Sequence, residues 1–512
     1  MPIFTLIKPN LYKDSVTLMQ IAQAIEKRSG VRRAALLMGT PANRDILAQS
    51  SFYNPLLDAA HTDDLMIVVE TDGETSQPVL AREIDRMLEG EGARPAAKSG
   101  MALPRSLAAA RARQASANLA VISVPGAYAA AEALKALRAG LNVFLFSDNV
   151  PLAEERRLKA IAERKGLIVM GPDCGTAVIN DIPLGFANKV RSGNIGIVGA
   201  SGTGMQEIMC QIHRLGGGIS QAIGTGGRDL SEEVGGITTR AALRLLAEDA
   251  ATAVIVVVAK SPSPTVGRRI LSDVQAAGKE AIVLFLGAEH PPAARHLHGV
   301  GDLDEAARLA VTLAGGGSRE PAQIDYAAAA RREQARHRPE QRYLRGLYSG
   351  GTYALEAQIL WRRAGYAIHS NAPIDGRLLL ADKEVSREHT ALDLGDDAFT
   401  VGRPHPMIDP SVRIERLLRE AADPTVAVVV LDIVLGTGAH ADPAQPLVPA
   451  IEEAKRLAAA EGRHLTVIAW ICGTDADPQG LARQEAAFGE VALVVPGSTA
   501  AARLAVQCLG GG

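Results

Sequence analysis

Short apolar runs alternate with segments of helical periodicity along most of the chain. The runs at residues 253–258, 281–286 and 427–434 are almost wholly apolar and rich in Val and Ile. Such runs are typical of strands buried on both faces, as in a parallel sheet between two layers of helices. The pattern therefore predicts an α/β fold with several Rossmann- or flavodoxin-like parallel-sheet domains. In such folds ligands bind at the carboxyl ends of the strands.

The 512 residues suggest about three domains at roughly 150 residues each. A stretch rich in Gly, Ala and charged residues at 315–342 interrupts the alternation and predicts a partly helical linker. We therefore expect domains at residues 1–190, 191–318 and 343–512, with a linker at 319–342.

The clearest strand–turn–helix sequence is N-I-G-I-V-G-A-S-G-T-G-M-Q-E at residues 194–207. Backbone N–H groups in such a turn meet the positive end of the helix dipole, which favours an anion. The predicted anion-binding residues here are Ser201, Gly202, Thr203 and Gly204. The sequence matches neither a Walker loop nor G-x-G-x-x-G. A glycine-rich turn without a ligand is the alternative.

Two further glycine-rich turns follow predicted strands. The first has the candidate ligand-binding residues Gly224, Thr225, Gly226, Gly227 and Asp229. The second has Gly436, Thr437 and Gly438, followed by His440 as a candidate acid or base. For Asp229 the alternative is a helix cap, and for His440 it is a surface position. Cys174 follows another strand and is a further candidate substrate-binding residue. We favour a packed thiol over a nucleophile there because no base is visible.

Composition excludes several classes of function. The net charge of −3 and 4% aromatic content argue against nucleic-acid binding. The four cysteines, Cys174, Cys210, Cys472 and Cys508, form no C-x-x-C pair, which argues against a zinc site or disulfides and fits the cytoplasm. No apolar run approaches membrane-spanning length, and the first residues do not resemble a signal peptide. Asp393 and Asp396 fall in an acid-rich turn of a common kind, so no metal is assigned.

Several motifs occur in the order found in the succinyl-CoA synthetase superfamily. V-P-G at 124–126, F-S-D-N-V-P at 146–151, M-G-P-D-C-G-T at 170–176 and the 194–204 turn resemble landmarks of its alpha subunit. Y-S-G-G-T-Y-A-L-E at 348–356 and L-D-I-V-L-G-T-G at 431–438 resemble the C-terminal domain of its beta subunit. The resemblance implies a CoA-binding-like domain at 1–190, a flavodoxin-type domain at 191–318 and a ligase-CoA-like domain at 343–512.

The chain also departs from that superfamily. No stretch resembles an ATP-grasp domain, and the first βα turn lacks the glycine loop that would bind CoA phosphates. The G-H-A-G-A loop that carries the phosphorylated histidine is replaced by residues 287–301. His298 lies near the offset of that histidine without its small neighbours, so a phosphohistidine role is the less favoured interpretation. CoA stays the one candidate cofactor, and none is assigned.

A chain that joins both synthetase-like halves without these parts resembles the FdrA family. The resemblance implies an oligomeric component of an oxamate carbamoyltransferase, with companion subunits, in anaerobic allantoin (purine) degradation. The implied reaction is phosphorolysis of oxalurate to oxamate and carbamoyl phosphate. The alternatives are an acyl-CoA synthetase or CoA-transferase-like subunit, and a non-catalytic scaffold subunit.

The synthetase resemblance also implies that two helix N-termini hold phosphate between them. The matching turns are 201–204 and 436–438, and the 224–229 turn closes the wall. Carbamoyl transfer needs phosphate held in line and donors for the developing oxyanion. We therefore expect Ser201, Thr437 and His440 to be catalytic.

Overall fold

The computed structural model describes residues 2–11, 13, 15–26, 28–40, 43–44, 47, 54–73, 77–89, 104, 106–288, 291, 294–316, 326–400 and 404–510. The chain forms two compact units, each described by itself. Unit 1 comprises Met1–Leu103 with Asp397–Pro404, and unit 2 comprises Pro104–Asp396 with His405–Gly512. Residues 319–325 of the predicted linker lie outside the described part.

Unit 1 contains a three-stranded sheet of order β1-β3-β2, formed by β1 (Ile3–Lys8), β2 (Val31–Met38) and β3 (Leu65–Thr71). Both pairings are antiparallel. Helices α1 (Ser15–Glu26) and α2 (Gln77–Glu89) pack on the face that carries Leu65, Ile67 and Val69. The other face carries Met66 and Val68 and packs against Leu57.

The antiparallel sheet of unit 1 corrects the expectation of a Rossmann-like fold from residue 1. Because β3 is central and buried on both faces, its run L-M-I-V-V is continuously apolar. Such a run is also typical of a parallel strand, so its pattern does not reveal the strand direction. The predicted domain bounds themselves stay a prediction.

Unit 2 begins with α3 (Leu107–Arg113) and a small parallel sheet of order β4-β5-β6. Its strands are β4 (Leu119–Ile122), β5 (Asn142–Leu145) and β6 (Val169–Met170), joined by α4 (Gly126–Arg138) and α5 (Leu152–Arg164). This is the βαβαβ pattern that the sequence predicts.

The second sheet of unit 2 has seven strands in the order β13-β12-β11-β9-β10-β7-β8. Its parallel part comprises β9 (Ser192–Gly199), β10 (Ile219–Gly224), β11 (Val254–Lys260), β12 (Glu280–Leu286) and β13 (Leu297–Gly299). The hairpin β7 (Thr176–Ile179) and β8 (Ile182–Gly185) adds an antiparallel edge. The connecting helices are α6 (Gly202–Arg214), α7 (Ile237–Glu248), α8 (Pro264–Ala276) and α9 (Leu303–Leu313).

The third sheet has six parallel strands in the order β15-β16-β14-β17-β18-β19. They are β14 (Tyr343–Tyr348), β15 (Ile368–His369), β16 (His389–Asp393), β17 (Val426–Val434), β18 (Thr466–Cys472) and β19 (Leu493–Val495). The α-helices of unit 2 from residue 326 onward are α10 (Tyr326–Gln334), α11 (Gly351–Arg363), α13 (Ser411–Ala422), α14 (Ala444–Ala460), α15 (Leu481–Gly489) and α16 (Ser498–Cys508), whereas α12 (Asp397–Thr400) belongs to unit 1.

The second and third sheets have closely related topologies. In the second sheet, β9 has β10 on one side and β11, β12 and β13 on the other, which is the flavodoxin-like order. In the third sheet, β14 has β16 on one side and β17, β18 and β19 on the other, so the arrangement is the same once the two-residue edge strand β15 is set aside. Helix α6 joins them, since Met205 and Ile208 enter the core of the second sheet while Cys210 enters the core of the third. The α/β fold class with flavodoxin-like parallel sheets is confirmed.

A crevice between two helix N-termini as the candidate functional site

Helix α6 begins directly after β9, the first strand of the second sheet's parallel part. Ser201 is its N-cap, with an extended backbone, and its hydroxyl accepts the N–H of Gly204 at 3.2 Å. This bond satisfies one of the free N–H groups that every helix start leaves.

Helix α11 begins in the same way after β14, the first strand of the third sheet. Its N-cap is Gly350, which has no side chain to act as a cap. The preceding residue, Ser349, donates both its N–H and its hydroxyl to Asp432 on β17, the former at 2.8 Å. Because Asp432 is fully buried and also 3.3 Å from Arg413, it fixes this turn.

The two helix starts meet each other. The hydroxyls of Ser201 and Thr352 lie 2.6 Å apart. A Cβ at position 350 would lie 2.4 Å from Cγ2 of Thr203, so only glycine permits this approach. Two N-termini with their positive dipole ends therefore converge at one junction, called the crevice below, and such a junction favours an anion.

A lysine and an aspartate lie beside the first turn of α11. A Cβ on Gly351 would be 2.6 Å from Oδ2 of Asp393 and 2.9 Å from Nζ of Lys260. Burial raises the pKa of Asp393 to about 6, which Lys260 opposes. In the part of the chain that the structure describes, no ion pair involves Lys260. The crevice thus combines helix N-termini, a cation and a carboxyl group that titrates near neutrality.

The 224–229 turn does not open into this crevice. Carbonyl oxygens of Thr176 and Pro172 would each lie 2.3 Å from a Cβ on Gly224 and Gly226, respectively, so these glycines accept a close backbone approach. The carbonyl of Thr225 accepts from Lys159 at 2.9 Å. The predicted wall is therefore filled by neighbouring backbone.

Asp229 has a structural place rather than one in the crevice. It is fully buried, accepts the N–H groups of Thr238 and Thr239 in the first turn of α7, and pairs with Lys159 at 2.7 Å. Lys159 also pairs with Glu155 at 2.9 Å. The structure therefore agrees with the alternative that Asp229 is a helix cap.

Cys174 is a packed thiol. It is 2% exposed and donates to the carbonyl of Thr176 at 3.6 Å. Burial raises its pKa to about 12. A thiol held neutral to that pH is a poor nucleophile.

Two N–H groups of the 436–438 turn are already engaged. The N–H of Thr437 donates to Ala187 at 2.8 Å, and that of Gly436 donates to Gln479 at 3.0 Å. Both N–H groups are thus taken by the protein itself. His440 accepts the N–H of Asp442 through Nδ1 at 3.1 Å, and it lines a water-sized cavity that Ser349 also lines. Of this set, His440 comes near the start of α11 through that cavity.

His298 lies away from the crevice. It is on β13, where it pairs with Ile282 near the amino end of β12, and its Nε2 is 2.7 Å from Glu280. The crevice lies at the carboxyl end, where Lys260 pairs with Leu286. His298 and Lys260 therefore mark opposite ends of the sheet.

Sequence reasoning missed the turn at 349–352 as part of the site. The signal was present, because S-G-G-T at 349–352 repeats the S-G-T of 201–203 at the same place after a first strand. Lys260 was also missed. Among the described residues no group of three or more His, Cys, Asp or Glu is placed to hold a metal ion. No helix in the same part of the chain is long and apolar enough to cross a membrane.

Three family models match the chain. A CoA-ligase model matches residues 347–509, a CoA binding domain model matches 190–287, and a model described as AllF, heavy metal-associated domain matches 1–104. Heavy metals are held mainly by thiolates. Residues 1–104 contain no cysteine and one histidine, His61, so they do not fit a heavy-metal site.

Among curated proteins, the uncharacterised protein YahF of Escherichia coli K12 is 42% identical over 510 residues, covering 98% of this chain and 97% of YahF. The succinate–CoA ligase [ADP-forming] subunit alpha 2 of Archaeoglobus fulgidus is 31% identical over 150 residues, which span 28% of this chain and about half (51%) of that subunit. Among solved structures, the dinucleotide-forming acetyl-coenzyme A synthetase 1 of Ca. Korarchaeum cryptofilum covers 77% of this chain and 82% of its own at 18% identity, with a TM-score of 0.29.

These matches correct the predicted activity. The CoA-ligase and CoA binding domain models together match most of the second and third sheets, and the relative with a named activity is a succinate–CoA ligase subunit. The prediction of a carbamoyltransferase is therefore wrong, whereas its oxamate and carbamoyl phosphate ligands stay a prediction. The chain belongs to the family of YahF, which is succinyl-CoA synthetase-like.

Proposed function

We propose that the protein is an acyl-CoA synthetase-like subunit that transfers an acyl group between phosphate and CoA. The observation that supports this proposal is the 2.6 Å contact between the hydroxyls of Ser201 and Thr352. It joins the starts of α6 and α11 into one anion-binding crevice. The first of these lies within the segment matched by the CoA binding domain model, and the second within that matched by the CoA-ligase model.

In the proposed reaction an acyl phosphate binds with its phosphate group between the two helix starts. The sulfur of CoA forms a bond to the carbonyl carbon, and the bond from that carbon to the phosphate oxygen breaks. The leaving phosphate takes the electron pair, and the N–H groups of both first turns with Lys260 stabilise its charge. Asp393, whose pKa is about 6, accepts the thiol proton.

In this proposal the resemblance to the FdrA family concerns the domain architecture alone. It rests on both synthetase-like halves occurring in one chain, and it implies no carbamoyl chemistry here. CoA-linked relatives act on different acyl groups, so the acyl group is left general. Companion subunits and an oligomeric state also stay predictions.

The test is calorimetric titration of the full chain with inorganic phosphate and with CoA, followed by an assay of thioester formation from acetyl phosphate and CoA. We expect both ligands to bind, and phosphate binding to weaken at least about tenfold in Lys260→Met, which corresponds to ~1.4 kcal/mol. The control is Lys279→Met, because Lys279 donates to the carbonyls of Leu246 and Asp249 at the other end of the sheet. Absence of phosphate and CoA binding, or equal effects of both variants, would contradict the proposal.

A further inference from the structure

A second basic cavity lies at the opposite end of the third sheet from the crevice. Its volume is about 490 Å³, and its lining residues are Arg336, Lys455, Ala459, Gly462, Arg463, His464 and Leu465. They come from the segment after α10, from α14 and from the loop that leads into β18. The crevice is formed at the carboxyl ends of the strands, whereas this loop precedes the amino end of β18. The two sites are therefore separate.

One wall of the cavity is held rigidly. The guanidinium of Arg463 is 3% exposed, donates to the carbonyl of Ala421 at 2.9 Å and pairs with Glu461 at 2.7 Å. His464 stacks on His337 with 5.7 Å between ring centroids. Fixed side chains lose little conformational entropy when a ligand binds, so this wall is pre-organised.

The carboxylate of Glu333, beside the cavity, already has hydrogen-bond partners. Glu333 accepts from His464 at 2.7 Å and from the hydroxyl of Thr466 at 2.8 Å. Burial raises the pKa of Glu333, but these hydrogen bonds outweigh it and hold the pKa at about 2. Arg336 lies 3.6 Å from the same carboxylate and is mostly exposed. Glu333 therefore stays charged but is shared among three neighbours.

Lys455 is a cationic side chain at the cavity that these carboxylates do not pair with. No ion pair of the described residues involves it, although it lies on α14 against the cavity. Burial lowers its pKa, which Glu333 partly offsets and Arg336 reinforces. With Arg338 beside Gly462, the surroundings hold four cationic side chains against the two carboxylates of Glu333 and Glu461. The cavity therefore has excess positive charge that an anion would neutralise.

We propose that this cavity binds a small phosphate ester with at least two negative charges, of about the size of a nucleoside diphosphate. The volume falls within the roughly 300–1,000 Å³ typical of small-molecule sites. Guanidinium and ammonium groups are the side chains that bind phosphate oxygens. Ala459 and Leu465 add a short apolar surface for the uncharged part of the ligand.

The test is calorimetric titration of the full chain with ADP and with pyrophosphate, using adenosine as an uncharged control ligand. Lys455→Met keeps the length of the side chain and removes its charge. We expect it to weaken ADP and pyrophosphate binding at least tenfold. The matched control is Arg456→Met on the same helix, where Arg456 pairs with Glu453 at 2.5 Å, and we expect a change below twofold.

Arg336→Gln is the second variant, because Arg336 is exposed and its loss does not disturb the core. Arg336→Gln should also weaken the binding of both ADP and pyrophosphate. Gly350→Ala, which alters the crevice, should leave ADP binding unchanged. Failure of the wild-type chain to bind ADP and pyrophosphate, or equal effects of Lys455→Met and Arg456→Met, would overturn the proposal. Loss of ADP binding in Gly350→Ala alone would place the nucleotide in the crevice and overturn it as well.

Discussion

The second and third sheets of unit 2 have closely related strand orders but start their first helices differently. Helix α6 is capped by a side chain, since Ser201 accepts the N–H of Gly204. Helix α11 begins at Gly350, and its turn is fixed from outside by Asp432. One sheet therefore supplies a self-contained turn, whereas the other supplies a turn with uncapped N–H groups. Only the pairing of the two produces the crevice.

The turns after β11 and β17, which pair with the first strands of their sheets, differ as well. In the second sheet β11 ends at Lys260, whose ammonium lies near Gly351. In the third sheet β17 leads into 436–438, where backbone N–H groups donate to Ala187 and Gln479. A glycine-rich turn is thus an anion site only where no neighbouring segment has already taken its N–H groups.

The largest expected effect is on stability, and it tests whether Asp229 is a structural or a ligand-binding residue. Asp229→Asn should lower the free energy of unfolding by about 3–5 kcal/mol, because it leaves Lys159 buried with less compensation. Urea unfolding measures this loss, and phosphate titration of the folded variant should show unchanged affinity. If Asp229→Asn instead retained its stability and lost phosphate affinity, the 224–229 turn would belong to the site.

The next effect concerns the contact that joins the two halves. Gly350→Ala places a Cβ 2.4 Å from Thr203, so the start of α11 must move away from α6. We expect a destabilisation of about 1–3 kcal/mol, as for other overpacked sites, together with at least tenfold weaker phosphate binding. Gly376→Ala is the matched control, because nothing lies within 4 Å of its Cβ position. Equal phosphate affinity in both variants would show that the junction does not form the site.

A smaller effect tests the cap that α6 has and α11 lacks. Ser201→Ala removes both the bond to Gly204 and the contact with Thr352, and it should cost about 1 kcal/mol. Thr352→Ala removes only the contact between the halves and should cost less. Thr352→Ala should also weaken phosphate binding, whereas Thr352→Ser keeps the hydroxyl and should bind phosphate as the wild type does. Unchanged phosphate affinity in the double variant Ser201→Ala with Thr203→Ala would remove the 201–204 turn from the site.

The sequence predicts the first of these turns well, because β9 is apolar and the turn and helix follow without interruption. The second turn escapes the same reasoning because β14 carries Arg345 at its centre. That arginine is 1% exposed and pairs with Glu420 at 2.6 Å and Asp423 at 2.8 Å. Its partners are 75 or more residues away along the chain. From the local pattern alone, position 345 looks like a solvent-exposed polar residue, and no buried strand is predicted there.

The 436–438 turn shows a related limit of local patterns. G-T-G after a buried strand satisfies every local rule for an anion site. What decides the matter is the arrival of residues 187–188 from the segment before β9, some 250 residues earlier. Periodicity and turn chemistry therefore predict strands, helices and one helix start. Contacts distant in the chain decide which turns stay open.

The pH dependence of anion binding provides a finer test of the crevice. Asp393 has a pKa raised to about 6, so it is neutral below that pH and no longer repels an anion beside Gly351. Sulfate keeps its charge over this range, and its affinity should rise a few-fold as the pH falls through about 6. Asp393→Asn should abolish the change. The same shift predicts that the wild type loses stability relative to Asp393→Asn as the pH rises from about 4 to 6, since the folded state retains a proton that the unfolded carboxyl releases.

The smallest effect is expected at His298, at the far end of the second sheet. Its ion pair with Glu280 is about one-third exposed, and such pairs contribute roughly 0–1 kcal/mol. His298→Asn should therefore change the free energy of unfolding by less than about 1 kcal/mol, and phosphate affinity and thioester formation should stay as in the wild type. A phosphohistidine role predicts instead that the phosphoryl group of acetyl phosphate passes to the imidazole and acetate leaves, a step separate from acyl transfer to CoA. Radiolabelled acetyl phosphate would then label the wild type, and His298→Asn would abolish the labelling. Absence of labelling in the wild type would leave the helix starts and Lys260, without a histidine carrier, as the groups that handle phosphate.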